Sequence, residues 1–157
     1  MAIEIGQKIP DVKLKMADGQ DISTTELFRG KRAVLFAVPG AFTPTCSDYH
    51  LPGFVENANE IKAKGVDTIA CVAVNDHFVL AAWAKARETG DKILMLADGN
   101  GDLARAMGLE MDSRPFGLGI RSRRYAALIE DGVIKELKVD QPGRLENSTA
   151  EEILKAL

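Results

Sequence analysis

The stretch "KRAVLFAVPGAFTPTC" (residues 31–46) decides how the central part of the chain folds. It opens with a short, continuous apolar run at residues 33–38, which predicts a strand buried on both faces. Pro39 then favours a turn, and Pro44 suits the first position of a helix. Cys46 therefore lies at the junction between a predicted strand and a predicted helix. A purely structural cysteine would lie more naturally inside the apolar run.

Turn and capping signals divide the rest of the chain into elements. The signals are Asp18-Gly19 and Asp131-Gly132 for hairpins, Ser23 with Glu26 and Ser148 with Glu151 for capping boxes that begin helices, Asp76 for a third helix start, and Pro52-Gly53 for a break in the helix after Cys46. Apolar runs at residues 66–75 and 92–98 predict two more buried strands, each followed by a helical pattern.

The predicted order is hairpin, then strand and helix in alternation three times, then hairpin and helix. Alternation of this kind favours parallel central strands covered by helices on both faces, and the closing hairpin adds antiparallel strands. We therefore predict a single α/β domain over residues 1–157, with a thioredoxin-like fold, a mixed central β-sheet flanked by helices and an N-terminal hairpin. Element order alone leaves a flavodoxin-like sheet open.

Composition excludes several classes of function. Hydrophobic residues make up 46% and charged residues 27% of the 157 residues, as is typical of globular proteins. The net charge of -3 argues against a nucleic-acid partner, because phosphate binding favours a basic excess. The sequence has neither an apolar run long enough to span a membrane nor the pattern of a secretory signal at its start. We expect a soluble, cytoplasmic protein with no nucleic-acid or membrane partner.

The two cysteines, Cys46 and Cys71, do not form a C-x-x-C motif. This excludes a thioredoxin-type dithiol and a zinc site built from cysteine pairs. The calcium-like stretch "DGNGD" has Leu103 and Leu109 where such a loop needs glycine and glutamate, and "GLGIRS" lacks the third glycine of a dinucleotide fingerprint. We expect no metal and no cofactor.

The stretch "TPTC" predicts a helix start with Thr43 as N-cap, Pro44 first and Cys46 third in the helix. The first turn carries unsatisfied N–H groups and the positive end of the helix dipole, so it favours the ionised, nucleophilic thiolate. Spacing alone also allows a plainer interpretation, in which Cys46 is a small apolar filler.

The segment "VPGAFTPTCSDYHLPGF" (residues 38–54) closely resembles the active-site segment of the peroxiredoxins, specifically the atypical type II group. The pattern Pro-x-x-x-Thr-x-x-Cys is met by Pro39, Thr43 and Cys46. Similarity continues through "KGVDTIACVAVND", "LMLAD" and "RSRRYAALIEDG", so it is nearly full length. The resemblance implies a thiol-dependent peroxidase that reduces hydrogen peroxide and alkyl hydroperoxides through a sulfenic acid on Cys46.

The resemblance also implies roles for residues around Cys46. The Thr43 hydroxyl can donate toward the sulfur or the peroxide oxygen, or cap the helix instead. Pro39 would shield the thiolate, or merely end the strand. Arg124, directly before an aromatic residue, matches the family's active-site arginine. In the predicted strand it shares a face with Ala126, where a buried arginine needs an anionic partner such as a thiolate.

Other candidates receive structural roles. We expect Arg121 and Arg123 to be solvated or to form a rim that attracts anions, and His50 to be structural or a pocket wall rather than a general base. Cys71 lies inside "TIACVAV" and is expected in the core, where burial makes a thiol inert. Helical spacing assigns the following residues to packing: Phe78, Val79 and Trp83.

Turnover needs a thiol to reduce the sulfenic acid. Some type II members carry a resolving cysteine before the final helix, but "DQPGRLENSTAEE" has none. The resemblance thus implies a one-cysteine mechanism with glutathione, glutaredoxin or thioredoxin as reductant, and a homodimer packed through loops such as "RPFGLG" (residues 114–119). The alternative function is a binding or chaperone-like module with vestigial peroxidase activity. A thiol–disulfide oxidoreductase is disfavoured because Cys46 has no neighbouring cysteine.

Overall fold

A seven-stranded mixed sheet forms the centre of the protein, whose computed structural model describes residues 2–157. The strands of the described chain are β1 (Lys13–Met16), β2 (Asp21–Ser23), β3 (Arg32–Val38), β4 (Thr68–Ala73), β5 (Leu94–Ala97), β6 (Glu110–Asp112), β7 (Ile120–Ser122), β8 (Tyr125–Glu130) and β9 (Val133–Val139). The central sheet has the order β2-β1-β5-β4-β3-β8-β9, while β6 and β7 pair separately.

Strands β3, β4 and β5 run parallel, and β8 pairs antiparallel with the other edge of β3. The predicted thioredoxin-like fold with a mixed sheet and an N-terminal hairpin is therefore confirmed. The antiparallel β3–β8 pairing excludes the all-parallel, flavodoxin-like alternative. The single domain over residues 1–157 stays a prediction, which the one large sheet supports.

Helices cover both faces of this sheet. They are α1 (Thr24–Phe28), α2 (Leu51–Glu56), α3 (Ala58–Ala63), α4 (His77–Ala86), α5 (Asp102–Ala106) and α6 (Ala150–Ala156), with a π-helical turn at Cys46–His50 and a 3-10 turn at Arg114–Phe116. No helix in the described part of the chain is long and apolar enough to cross a membrane.

The apolar run of β3 supplies both cores of the protein, because alternate side chains point to opposite faces. Phe36 belongs to the cluster that includes Phe54 of α2 and Trp83 of α4, whereas Leu35 belongs to the cluster that includes Phe28 of α1. Both cysteines lie in the first cluster. The strand is fully buried from residue 33 to residue 38, as its unbroken apolar sequence predicts.

Both predicted hairpins form. Asp131 and Gly132 have φ angles of 48° and 79°, the left-handed pair that a tight two-residue hairpin turn requires. Gly19 has a φ of 90° in the β1–β2 turn. Ser23 caps α1 by accepting a hydrogen bond from the Glu26 backbone N–H at 3.1 Å, as expected of a capping box.

Three local predictions are wrong. Helix α6 is capped by Thr149, not Ser148, because the Ser148 hydroxyl donates to Asp140 instead. The helix after Cys46 is not broken at Pro52-Gly53, and its interruption comes at Asn57. Phe78 is 74% exposed rather than packed, whereas Trp83 is fully buried on the inner face of the same helix.

Candidate active site

The helix that carries Cys46 begins at Pro44, as predicted, and then widens into a π-helical turn. The Leu51 N–H donates to the Cys46 carbonyl, one residue further back than in an α-helix. A proline inside an α-helix clashes with the carbonyl four residues before it. The wider turn gives Pro52 room, so the helix continues through it. Turns of this kind are frequent at functional sites.

Arg124 lies directly against Cys46. Its Nη2 is 3.2 Å from the Cys46 Sγ, and both side chains are buried, with 7% of Arg124 and 1% of Cys46 exposed. An arginine is always charged and can only donate, so this contact favours a negatively charged sulfur. The structure thus brings Cys46 and Arg124, two of the four residues predicted for the site, into direct contact.

His50 holds the other arm of the same guanidinium. The Arg124 Nη1 donates to His50 Nδ1 at 2.9 Å, which leaves the imidazole proton on Nε2, 2.8 Å from the Ser148 carbonyl oxygen. Burial, and then the Arg124 charge, lower the pKa of His50 to about 3. His50 is therefore neutral at physiological pH and unsuited to act as a cation, which fits the structural role expected of it.

Thr43 makes neither of its two expected contacts. Its hydroxyl donates to the Gly40 carbonyl at 2.6 Å, so it neither caps the helix nor meets Cys46. The main chain of Thr43 still closes the first turn by accepting from the Ser47 N–H at 2.8 Å. Pro39 follows β3, and its carbonyl accepts from Arg121 at 3.3 Å.

A cavity of about 740 Å³ opens beside this group. Pro39, Thr43, Pro44 and Arg124 line one side of it. The rest of the lining is mixed: it has the apolar side chains of Met111, Phe116, Leu118 and Pro142 together with the polar ones of Glu110, Asp112, Ser113, Arg123 and Gln141. The cavity therefore connects solvent with the arginine that touches the buried sulfur.

Arg121 and Arg123 are half-buried rather than fully solvated, and the alternative that they form a rim that attracts anions stays a prediction. Backbone carbonyls hold them: Arg121 donates to Leu118 at 2.8 Å, and Arg123 donates to Asp140 at 3.0 Å. The Nε of Arg123 is buried and has no partner within residues 2–157. Arg121 thus links β7 to the loops at Leu118 and Pro39, and Arg123 links the β7–β8 connection to the segment after β9.

Sequence reasoning missed the groups that attach the cysteine turn to α4. The Ser47 hydroxyl, 3% exposed with its residue, accepts from Trp83 Nε1 at 3.1 Å and from Arg87 Nε at 2.9 Å. Arg87 also pairs with Asp48 at 3.0 Å. Trp83 and Arg87 are four residues apart and so share a helix face. This four-residue spacing is the sequence signal that indicates a shared face for Trp83 and Arg87. No sequence pattern around Ser47 indicates that its hydroxyl binds them.

Cys71 lies at the centre of β4, fully buried between Phe36 of β3 and Met95 of β5. Burial, reinforced by the nearby Cys46, raises the pKa of the Cys71 thiol well above its ordinary value. Its sulfur is thus held as a neutral thiol. No group of three or more metal-ligating side chains comes together in the described residues.

Comparisons with known proteins agree with this geometry. The Redoxin family model matches residues 4–154. The chain is 55% identical to peroxiredoxin-2E-2, chloroplastic, of Oryza sativa subsp. japonica, over 99% of this chain and 72% of that protein. It is 48% identical to peroxiredoxin-2C of the same organism, over 99% of this chain and 98% of that protein.

Among solved structures, reduced Prx3 from Vibrio vulnificus in complex with H2O2 superimposes with a TM-score of 0.95. It is 52% identical, and the match covers 99% of both chains. Both the sequence and the fold therefore match peroxiredoxins over almost the full length of this chain. The chain belongs to the redoxin family as a peroxiredoxin, a thiol-dependent peroxidase.

Proposed function

We propose that Cys46 is the nucleophile of this peroxidase and that Arg124, Thr43 and Pro39 form its active site. The observation that carries the proposal is the 3.2 Å contact between the Arg124 guanidinium and the Cys46 sulfur at the edge of the cavity. The Cys46 thiolate attacks one peroxide oxygen, so that an S–O bond forms and the O–O bond breaks. Sulfur is oxidised to a sulfenic acid, and the leaving hydroxide or alkoxide takes up a proton.

Arg124 serves both ends of this step. Its fixed charge stabilises the thiolate before attack and the negative charge that develops on the leaving oxygen. The Thr43 hydroxyl lines the cavity beside it and turns its proton from Gly40 toward a bound peroxide. Pro39 closes the wall of the cavity without offering an N–H group.

The substrates we propose are hydrogen peroxide and alkyl hydroperoxides. The solved Vibrio relative was crystallised with H2O2. Within the mixed lining of the cavity, the apolar side chains of Met111, Phe116 and Leu118 give the alkyl group of an organic peroxide a surface to pack against.

We propose a one-cysteine mechanism. Cys71 is fully buried in β4, and the segment between β9 and α6 has no cysteine. An external thiol must then attack the sulfenic acid, release water and form a mixed disulfide, which a second thiol reduces. Glutathione, glutaredoxin or thioredoxin supplies these thiols. Two free cysteines suit a reducing compartment, for which we propose the cytoplasm.

We further propose that the protein acts as a homodimer packed through the loops around the cavity. Phe42 is 52% and Phe116 is 81% exposed, and each lies in such a loop. Exposed aromatic side chains are enriched at protein interfaces. Size-exclusion chromatography with light scattering tests this directly, and a monomer at all concentrations would contradict it.

The proposal is tested by peroxide consumption with each of the three reductants. Cys46→Ser is expected to abolish consumption, because serine is not ionised at neutral pH. Cys71→Ser, the matched control, is expected to retain most of it, because the core thiol takes no part. Equal loss in both variants would contradict the assignment of roles, and consumption that survives Cys46→Ser would contradict the proposed nucleophile.

A further inference from the structure

The polar contacts of Arg124 continue behind the active site into the segment between β9 and α6. We propose that Asp140 is a positioning residue, which acts through Ser148 and His50 to aim the Arg124 guanidinium at Cys46. This inference rests on the proposed function of Cys46 and Arg124. Asp140 does not touch the sulfur, so any effect it has must pass through other groups.

The contacts form an unbroken chain. The Ser148 hydroxyl donates to Asp140 Oδ2 at 2.6 Å, and the Ser148 carbonyl accepts from His50 Nε2 at 2.8 Å. His50 Nδ1 accepts from Arg124 Nη1 at 2.9 Å, while Arg124 Nη2 reaches Cys46 at 3.2 Å. Each link fixes the direction of the next, because the imidazole has one acceptor and one donor on opposite edges.

Asp140 is itself held firmly at the far end of this series of hydrogen bonds. It is 1% exposed, and its carboxylate also accepts from the backbone N–H groups of Glu146 at 3.1 Å, Asn147 at 2.6 Å and Ser148 at 3.2 Å. Burial opposes ionisation, but these hydrogen bonds together outweigh it and hold the pKa of Asp140 below its ordinary value. The carboxylate thus folds the segment around itself and fixes the Ser148 carbonyl.

Asp140 also fixes the main chain at the other end of the arginine. Its N–H donates to the Arg124 carbonyl at 2.9 Å. The backbone and the guanidinium of Arg124 are therefore both held by one residue, directly in the first case and through two intermediates in the second. By charge alone a nearby carboxylate would disfavour a thiolate, so a benefit to Cys46 must come from geometry.

The charge of Asp140 and its positioning role predict opposite shifts of the pH–rate profile, so one variant can distinguish them. Asp140→Asn keeps the size of the side chain but removes the charge and one acceptor oxygen. The readout is the rate of oxidation of the reduced protein by hydrogen peroxide, measured by stopped flow across a pH range. Positioning predicts a rate about tenfold lower at neutral pH and a profile displaced to higher pH. An unchanged profile, or one displaced to lower pH as charge removal alone would give, overturns the proposal.

Two further variants separate positioning from general damage. Glu151→Gln, at an exposed acid in the first turn of α6, is the control and should match the wild type. In an Arg124→Ala background, Asp140→Asn should have no additional effect on the rate, since its path to the sulfur is already broken. A further loss of similar size in that background would show a role that does not pass through Arg124, and would overturn the proposal.

Should Asp140→Asn not fold, Ser148→Ala decides the question. It keeps the backbone groups that bind Asp140 and His50 but removes the hydroxyl, which lies 2.6 Å from Asp140 Oδ2 and 3.4 Å from His50 Nε2. The expected loss of rate is about threefold, in the same direction, and a wild-type rate and profile overturn the proposal. Failure of wild-type protein to react with peroxide at all would instead refute the proposed function, so the two failures are distinguishable.

Discussion

A single guanidinium organises the site, and it does so because of its shape. Arg124 uses one arm for His50 and the other for Cys46. A carboxylate within 4.0 Å would neutralise it, but no such ion pair involves Arg124 in the described chain. A buried arginine without a carboxylate needs another anion. The Cys46 sulfur, 3.2 Å from Nη2, is the group that the structure places beside it.

Arg124→Lys tests whether this shape matters beyond the charge. A lysine is a point charge on a flexible stem and cannot hold the His50 nitrogen and the sulfur in one planar fork. A lost charged hydrogen bond is worth about 1.5–3 kcal/mol, so we expect the peroxide step to slow by about tenfold to a hundredfold. The measurement is stopped-flow oxidation. Arg105→Lys, on the exposed face of α5, is the control, and an unchanged rate in Arg124→Lys would show that charge alone suffices.

At the scale of elements, sequence patterns predicted correctly those strands and turns that depend on neighbouring residues alone. Continuous apolar runs predicted β3 and β4, and Asp131-Gly132 predicted a turn whose φ angles are both positive. The predictions failed where a distant partner competes. Ser148 loses its expected capping role to Thr149 because its hydroxyl binds Asp140. The π-helical turn before Pro52 likewise depends on how the whole segment packs.

The attachment of the cysteine turn to α4 gives a prediction at this scale. Ser47→Ala leaves the fully buried Trp83 N–H without its acceptor, which costs about 1–3 kcal/mol of unfolding free energy. Asp48→Asn breaks only the solvent-exposed pair with Arg87, worth about 1 kcal/mol or less. Urea unfolding of both variants measures the difference. Equal losses would mean that Ser47 does not anchor the turn.

At the scale of the whole molecule, strand pairing brings together the residues of the proposed active site. Cys46 and Arg124 are 78 residues apart, and the antiparallel pairing of β3 with β8, with Ala37 opposite Tyr125, brings them together. No local pattern determines that pairing. The sequence therefore suggested Arg124 through the face it shares with Ala126 and through resemblance to a family. The sequence predicted a structural role for His50, but its partners, and the roles of Ser47 and Asp140, emerged only from three-dimensional contacts.

The pH dependence of the unfolding free energy should reflect the burial of His50. Its pKa is about 3 in the folded protein and 6.5 in the unfolded chain, so between these values the unfolded state binds more protons. The contribution of neutral His50 to the unfolding free energy is complete above about pH 6.5. It is lost as pH falls toward 3, with a slope of up to about 1.4 kcal/mol per pH unit.

His50→Gln keeps a donor for the Ser148 carbonyl but does not titrate. We expect its unfolding free energy to fall less steeply than that of the wild type between about pH 6.5 and about pH 5, measured by urea denaturation. The pKa of Asp140 is lowered, so this residue titrates in more acidic solution and does not contribute to the difference between about pH 6.5 and about pH 5. Parallel curves for the two proteins would contradict a buried, neutral His50.

The central claim is that Cys46, beside Arg124, is the sulfur that peroxide oxidises. It is tested most directly by treating the reduced protein with one equivalent of hydrogen peroxide, trapping sulfenic acid with a dione reagent and locating the adduct by mass spectrometry. The account predicts the adduct on Cys46, with Cys71 unmodified. An adduct on Cys71, or none on either cysteine while peroxide is consumed, would contradict it.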